Sequence, residues 1–204
     1  YLYFKSENWD FSVQAIRFRL KDGAEEVITS SGEVKDNPVQ TPIRVGDHIL
    51  FVTSQVMELL DPGDQTLQSY LSIESVTGAS NYARAFCYCE SNERIYLTTV
   101  SGTVYAFSYP SLSLVCSTGV GGGINNCKLI LVAQDSWSDK IFALGGGGLI
   151  NIYDLDLNVL RSFQPAKIPD QDYEWEFDDQ DYVDNGDDLV DYDYHFIQGI
   201  ADHR

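Results

Sequence analysis

The sequence is poor in basic residues and has no long apolar run. Its 204 residues include 13 lysines and arginines against 31 aspartates and glutamates, for a net charge of −18. Binding of free nucleic acid depends on clustered Lys and Arg, so nucleic acid is a poor partner for this chain. No stretch approaches the roughly 18 apolar residues of a membrane-spanning helix. The first five residues also lack the basic flank and apolar segment of a signal peptide.

Motifs for catalysis and for ligand binding are missing as well. None of the three histidines belongs to an HExxH pattern, and no G-x-S-x-G occurs. The glycine-rich segments 119–123 and 145–148 are not followed by the Lys-Ser/Thr of a P-loop. We therefore predict that these glycines form tight turns between strands. The acidic stretch 181–192 is not an EF-hand, because Val183 and Tyr192 fall where oxygen ligands are needed. We therefore predict no catalytic, metal or cofactor site.

Cysteine is scarce, with four residues at 87, 89, 116 and 127. The Cys87-x-Cys89 spacing fits neither a zinc-ligand pair nor a redox motif, and we predict buried free thiols. No N-x-[ST] glycosylation acceptor occurs among the asparagines. Both observations favour an intracellular chain, in the cytoplasm or the nucleus.

What the sequence does contain is a repeat of about 46 residues. Ile49, Ile95 and Ile141 each open a short apolar strand, and a second strand follows at a similar offset. Leu67, Leu114 and Leu160 occupy equivalent positions in the strand after that. Short strands repeating every 40 to 50 residues are typical of β-propeller blades, since one small sheet buries its faces only when neighbouring sheets pack on it.

The repeat divides the chain into blades and two incomplete ends. We predict an all-β chain with blades at about 1–36, 37–76, 82–120 and 124–165, so that residues 1–168 form the propeller part. The first unit lacks an inner strand, and residues 194–204 form an inner strand with no blade behind it. Two arrangements remain open: a partial propeller belonging to a larger ring, or a four-bladed ring closed by the C-terminal strand.

Two repeat segments resemble blades of known propellers. Residues 92–107 (NERIYLTTVSGTVYAF) resemble the core of a quinoprotein-like or WD-repeat-like blade. Residues 139–145 with 149–155 are similar to the end of a WD repeat, although Tyr153-Asp154 replaces Trp-Asp and the Gly-His start is missing. The resemblance covers about 120 residues at the superfamily level. It implies mostly a scaffold that binds other macromolecules.

Residues 169–193 form an acidic, aromatic-rich insertion that we expect to be flexible. Twelve acidic residues and no basic ones lie between 170 and 193, and without them the net charge would be about −6. Carboxylates can attract a basic partner while aromatic rings supply contact area; a plain solvated insertion is the alternative. The candidate partner-binding residues are Asp172, Tyr173, Glu174, Trp175, Glu176, Phe177, Asp178, Asp179, Asp181 and Tyr182.

These observations favour a non-catalytic β-propeller subunit that mediates protein–protein interaction within a larger complex. Its expected partners are other protein subunits, including a basic protein or peptide. The alternative is a propeller enzyme, a quinone- or metal-dependent oxidoreductase or a hydrolase, with its site at the central channel. No residue of the sequence can be assigned to such a site.

Overall fold

Short strands account for most of the regular structure in the described residues. The computed structural model describes residues 1–7, 13–30, 38–118, 127, 129–134, 138–145 and 148–164. Within them one short helix, α1 (Ile73–Thr77), accompanies fifteen strands. The strands are β1 (Leu2–Glu7), β2 (Val13–Phe18), β3 (Glu25–Ile28), β4 (Ile43–Val45), β5 (His48–Val52), β6 (Val56–Leu60), β7 (Leu67–Ser72), β8 (Ala83–Cys89), β9 (Arg94–Thr99), β10 (Val104–Ser108), β11 (Leu114–Ser117), β12 (Leu129–Gln134), β13 (Asp139–Leu144), β14 (Ile150–Tyr153) and β15 (Val159–Phe163).

The strands form four antiparallel sheets, each containing strands that are consecutive in the chain. β1–β3 form a three-stranded first sheet, and β4–β7, β8–β11 and β12–β15 form four-stranded second, third and fourth sheets. Such meanders need only short hairpin connections. The all-β architecture of propeller blades predicted from the repeat is thus confirmed. Residues 194–204, the predicted closing strand, lie outside the described residues.

Equivalent strands have the same irregularity in every four-stranded sheet. The pairing of the third strand with the fourth shifts register once, between Leu59 and Leu60, between Ala106 and Phe107, and between Ile152 and Tyr153. An extra residue at such a bulge bends the strand and increases its twist. The repeat in the sequence therefore specifies the local shape of each blade as well as its strands.

One predicted equivalence is wrong. Leu67 pairs with Leu60 and Leu114 pairs with Phe107, but the partner of Tyr153 is Val159. Val159 therefore takes the position that we predicted for Leu160. The reason is the length of chain between the paired residues: five residues (154–158) separate Tyr153 from Val159, whereas six separate each of the other two pairs (61–66 and 108–113).

The core lies between the sheets. Ala15 and Ile28 of the first sheet pack with Ile49, Phe51 and Leu60 of the second. A larger cluster joins the second and third sheets, and another joins the third and fourth. The central strands of the second and third sheets are consequently buried on both faces.

Strand β9 illustrates this burial. Ile95 and Leu97 face the second sheet, whereas Tyr96 between them faces the fourth. Side chains of a strand point alternately to its two faces, so a continuous apolar run is required where both faces are covered. Fully burying such a side chain stabilises the fold by about 1.5–3 kcal/mol.

The meander topology places alternate connections at opposite ends of the sheets. One end, the hairpin face, carries the turns 19–24, 46–47, 61–66, 90–93, 109–113 and 154–158. The other end, the linker face, carries the turns 53–55 and 100–103 and the connection 73–82, which includes α1. The backbone N–H groups of Ile73 and Ala83 donate to Gln55 O and Ser54 O, which holds that connection against the linker face.

Candidate interaction surface

A repeated clasp holds neighbouring sheets together at the hairpin face. His48 Nδ1 forms a 2.8 Å hydrogen bond with Tyr109 Oη, and Arg94 Nη1 donates to Leu155 O at 2.8 Å. Both pairs are separated by 61 residues. His48 and Arg94 directly precede the repeat isoleucines, so the first residue of a second strand contacts the last hairpin of the following sheet.

The first pair of sheets uses a variant of the same clasp. Tyr1 precedes β1 as His48 precedes Ile49, and the Arg17 guanidinium lies over its ring at 4.8 Å. Arg17 donates to Pro62 O and, at 2.8 Å, to Gly63 O, and it forms an ion pair with Glu26. The hydrogen bonds to this hairpin come from Arg17 in β2, the third strand of its blade, whereas the other two clasps start from the second strand. All three clasps hold the last hairpin of the following sheet.

The clasp between the third and fourth sheets is the most extensive. Tyr96 Oη donates to Leu155 O at 2.7 Å and accepts from Asn92 Nδ2 at 2.9 Å, while Arg94 also pairs with Asp156 at 2.7 Å. Burial raises the pKa of Tyr96 to about 12 despite the opposing hydrogen bonds from Asn92 and Arg94. The phenol therefore stays neutral and keeps its donor proton at physiological pH.

Aspartates shape two of the hairpins that the clasps hold. Asp61 Oδ1 accepts from Gly63 N at 2.6 Å, and Asp154 Oδ1 accepts from Asp156 N at 3.0 Å and Asn158 N at 2.9 Å. Burial opposes ionisation of Asp154, but the hydrogen bonds from Asn158 and Asp156 outweigh it and lower the pKa of the carboxyl. The acidic residue of the Tyr153-Asp154 pair is therefore a turn-capping group.

A cavity of about 410 Å³ opens at the hairpin face, between the second and third sheets. Its lining residues are Arg44, Gly46, Tyr88, Glu90, Glu93 and Tyr109. The Tyr88 and Tyr109 rings meet edge to face, with centroids 5.8 Å apart and planes at 67°. Ligand pockets in proteins typically measure about 300–1,000 Å³, so the cavity can hold one side chain or a small ligand.

Gly46 makes room for the Tyr109 side chain. Its φ of +53° lies in the left-handed region, and a Cβ atom at this position would come within 2.5 Å of Tyr109 Oη. The hydroxyl also accepts from Asp47 N at 3.2 Å. Only glycine combines that backbone conformation with so close an approach.

Glutamates set the electrostatic character of the cavity. Burial raises the pKa of Tyr88, and Glu93, Tyr109 and Glu90 raise it further. The two carboxylates are thus close enough to the Tyr88 hydroxyl to disfavour its ionised form. Arg44 contributes one positive charge, and its Nε donates to Gly46 O at 3.2 Å.

Charge separates sharply between the two faces of the described sheets. The turns of the hairpin face contain eight acidic residues and two basic ones, Arg19 and Lys21. The acidic residues are Asp22, Asp47, Asp61, Asp64, Glu90, Glu93, Asp154 and Asp156. The linker-face segments contain a single charged residue, Glu74, among serine, threonine, glycine and asparagine. Among the turns that the structure describes, those of the hairpin face are therefore the more acidic.

The partner-binding residues predicted from the sequence, Asp172 to Asp179 with Asp181 and Tyr182, lie outside the described residues. Sequence reasoning did not identify the cavity. A weak signal for its acidic part was present in Glu90 and Glu93, which flank a turn just before a repeat isoleucine. Nothing in the sequence indicated that Arg44 and Tyr109 would join them from other strands.

The cysteines agree with the prediction of free thiols. All four are unpaired; Cys89 and Cys127 are buried as predicted, whereas Cys87 and Cys116 are only partly buried. Burial raises the pKa of the Cys87 and Cys127 thiols, so neither is an activated nucleophile.

Across the part of the chain that the structure describes, no three metal-ligating side chains come together. None of its helices has the length and apolar character to cross a membrane.

Comparison with known proteins supports the fold but assigns neither a family nor a function. No protein-family model matches the chain, and no curated protein matches it. The structure is similar to the WD40 domain of Pan2 from Neurospora crassa, with a TM-score of 0.56 and 10% sequence identity. The similarity covers 79% of this chain and 45% of that one, so this chain spans less than half of the domain it resembles. The predicted WD-repeat-like propeller fold is confirmed, and at this identity the likeness concerns the fold alone.

Proposed function

We propose that this chain is a non-catalytic propeller scaffold that binds a basic protein partner through its acidic hairpin face. The observation that carries the proposal is the segregation of charge between the two ends of the same sheets. A propeller fold presents its turns as a rigid contact surface, and complementary charge gives specificity and fast association.

The clasps support this role by fixing the turns of adjacent sheets relative to one another. Arg94 and Tyr96 hold the hairpin at Leu155, and His48 holds the one at Tyr109. A partner that contacts several turns then meets a preorganised surface, and little binding energy is lost in ordering it. The acidic segment 169–193 is, in this proposal, a second contact for the same basic partner.

Binding of a short poly-L-lysine chain, titrated at low and at physiological ionic strength, tests the proposal. Affinity should fall as salt rises, because exposed charges are screened over about 8–10 Å at these ionic strengths. A variant with Asp22→Asn, Asp64→Asn and Asp156→Asn keeps the oxygen acceptors of the turns but removes three charges, and it should bind several-fold more weakly. Deleting residues 170–193 should weaken binding separately.

The control for position is Glu74→Gln, which removes one charge from the linker face and should leave affinity unchanged. Equal affinity of the triple variant, the deletion and the unaltered protein would contradict the proposal. Poly-L-glutamate serves as the counter-probe and should not bind.

A further inference from the structure

The cavity between the second and third sheets has the composition of a receptor for a cation on an aliphatic stem. Tyr88 and Tyr109 form two walls at an angle, and Glu90 and Glu93 contribute carboxylates. An ammonium or guanidinium group within about 6 Å of a tyrosine ring is attracted to the ring face, more strongly when it is partly removed from water. A carboxylate beside the same group adds a charge-assisted hydrogen bond.

The carboxylates of the cavity are available to a ligand. Within the described ranges, the ion pairs involve Arg17, Arg19 and Arg94, and none of them includes Glu90 or Glu93. Glu90 and Glu93 are exposed at the rim, whereas Tyr88 is partly buried. With Arg44 counted, the lining has two negative charges and one positive charge. The balance favours a cation.

We propose that this cavity receives a single lysine or arginine side chain of a partner polypeptide. The stem would lie against the Tyr88 and Tyr109 rings, and the charged end would reach Glu90 and Glu93. This inference rests on the proposed function, since it assigns the point on the acidic hairpin face where one basic residue of the partner is recognised.

The neighbouring clasp explains why the space exists at this pair of sheets. Between the third and fourth sheets the long Arg94 side chain spans the gap to Leu155 and Asp156. At the equivalent position between the second and third sheets stands the shorter His48, and Tyr109 reaches back to meet it. No basic side chain of this clasp therefore spans the gap between these two sheets, where Tyr109 meets His48 instead.

Titrations with short blocked peptides test the proposal. Each peptide carries one central residue, lysine, arginine, norleucine or glutamate, between glycines and serines. The readout is the shift of ring signals in protein with isotope-labelled tyrosine, and Tyr88→Phe identifies the Tyr88 signals by their loss. We expect the lysine or the arginine peptide to shift these signals and the norleucine peptide to leave them unmoved; comparing the first two shows which cation is preferred.

Charge variants locate the binding. Glu90→Gln with Glu93→Gln should weaken binding of the basic peptide about tenfold, since each exposed carboxylate contributes modestly. The matched control, Glu25→Gln with Glu74→Gln, removes the same charge away from the cavity and should leave the affinity within error.

Three outcomes would overturn the inference. If the control substitutions weaken binding as much as the cavity substitutions, the peptide is attracted by the net charge of the protein and not by the cavity. If poly-L-lysine binds the hairpin face but no basic peptide shifts Tyr88, the proposed function survives and the cavity assignment fails. If the glutamate peptide binds, and Arg44→Met abolishes that binding, the cavity is an anion site.

Discussion

Replacing Gly46 with alanine should destabilise the protein by more than a left-handed backbone alone can explain. Gly46 has φ of +53°, and an added Cβ would meet Tyr109 Oη at 2.5 Å, Cζ at 2.9 Å and Cε1 at 3.0 Å. The phenol ring would have to move away, with loss of its hydrogen bonds to Asp47 N and His48 Nδ1.

The magnitude follows from two separable contributions. A non-glycine residue in the left-handed region costs about 1–2 kcal/mol. Each lost hydrogen bond costs about 1 kcal/mol. Gly46→Ala should therefore lower the free energy of unfolding by about 3–4 kcal/mol, with two contributions of similar size.

Gly23→Ala is the matched control. Gly23 has φ of +70°, and a Cβ there would approach Phe18 Cε1 only to 3.8 Å, an ordinary contact. This variant should lose only the backbone contribution of about 1–2 kcal/mol. Urea unfolding followed by far-ultraviolet circular dichroism gives both values.

A double-mutant cycle with Tyr109→Ala separates the clash from the strain. In the Tyr109→Ala background the second substitution, Gly46→Ala, should cost only as much as Gly23→Ala does in the unaltered protein. Equal losses for Gly46→Ala and Gly23→Ala in the unaltered protein would refute the reasoning, because they would show that Tyr109 is not held against Gly46.

Three further predictions concern the clasps, the turns and the thiols. Tyr96→Phe should lower the free energy of unfolding by about 1–2 kcal/mol, measured by urea unfolding, because Leu155 O loses a donor; no change would show that Arg94 alone suffices. The pKa of Asp154 is lower in the folded state, so its carboxylate stabilises the fold above its unfolded pKa, and that stability is lost as pH falls through the folded pKa. Asp154→Asn should therefore reduce the loss of stability at acidic pH, measured by urea unfolding at several pH values. An unchanged pH profile would argue against the turn-capping role. Cys127 is buried and its pKa is raised, which predicts slow alkylation by iodoacetamide in the folded protein and fast alkylation in urea, to be followed by peptide mass spectrometry; rapid reaction of the folded protein would contradict its burial.

The strands were predictable because burial on both faces leaves a continuous apolar signature. The third sheet is covered on both faces, so every side chain in the middle of β9 is buried. These side chains are therefore large and apolar, as in Ile95 and Leu97, or carry a hydrogen-bonded hydroxyl, as in Tyr96. The helix α1 was not predicted, because its five residues contain only one buried side chain, Ile73, and no periodic pattern.

Positions in the turns were harder to predict. Val159 rather than Leu160 is equivalent to Leu67, since one residue is absent from the preceding turn, and strand patterns do not reveal such a shift. Leu157, inside that turn, is buried and has φ of +64°. A leucine in a left-handed conformation carries no signal in the sequence, because the surrounding contacts impose it.

The sequence by itself determined the repeat, the strands, the all-β class and the acidic balance, because alternation, burial and charge are properties of residues near one another in the chain. Only the tertiary structure decided which residues meet across sheets. His48 contacts Tyr109, Arg94 contacts Leu155, and the cavity joins Arg44 to Tyr88 and Glu93. Those contacts span tens of residues and depend on how one sheet stacks on the next, and that packing geometry is not encoded in any local pattern.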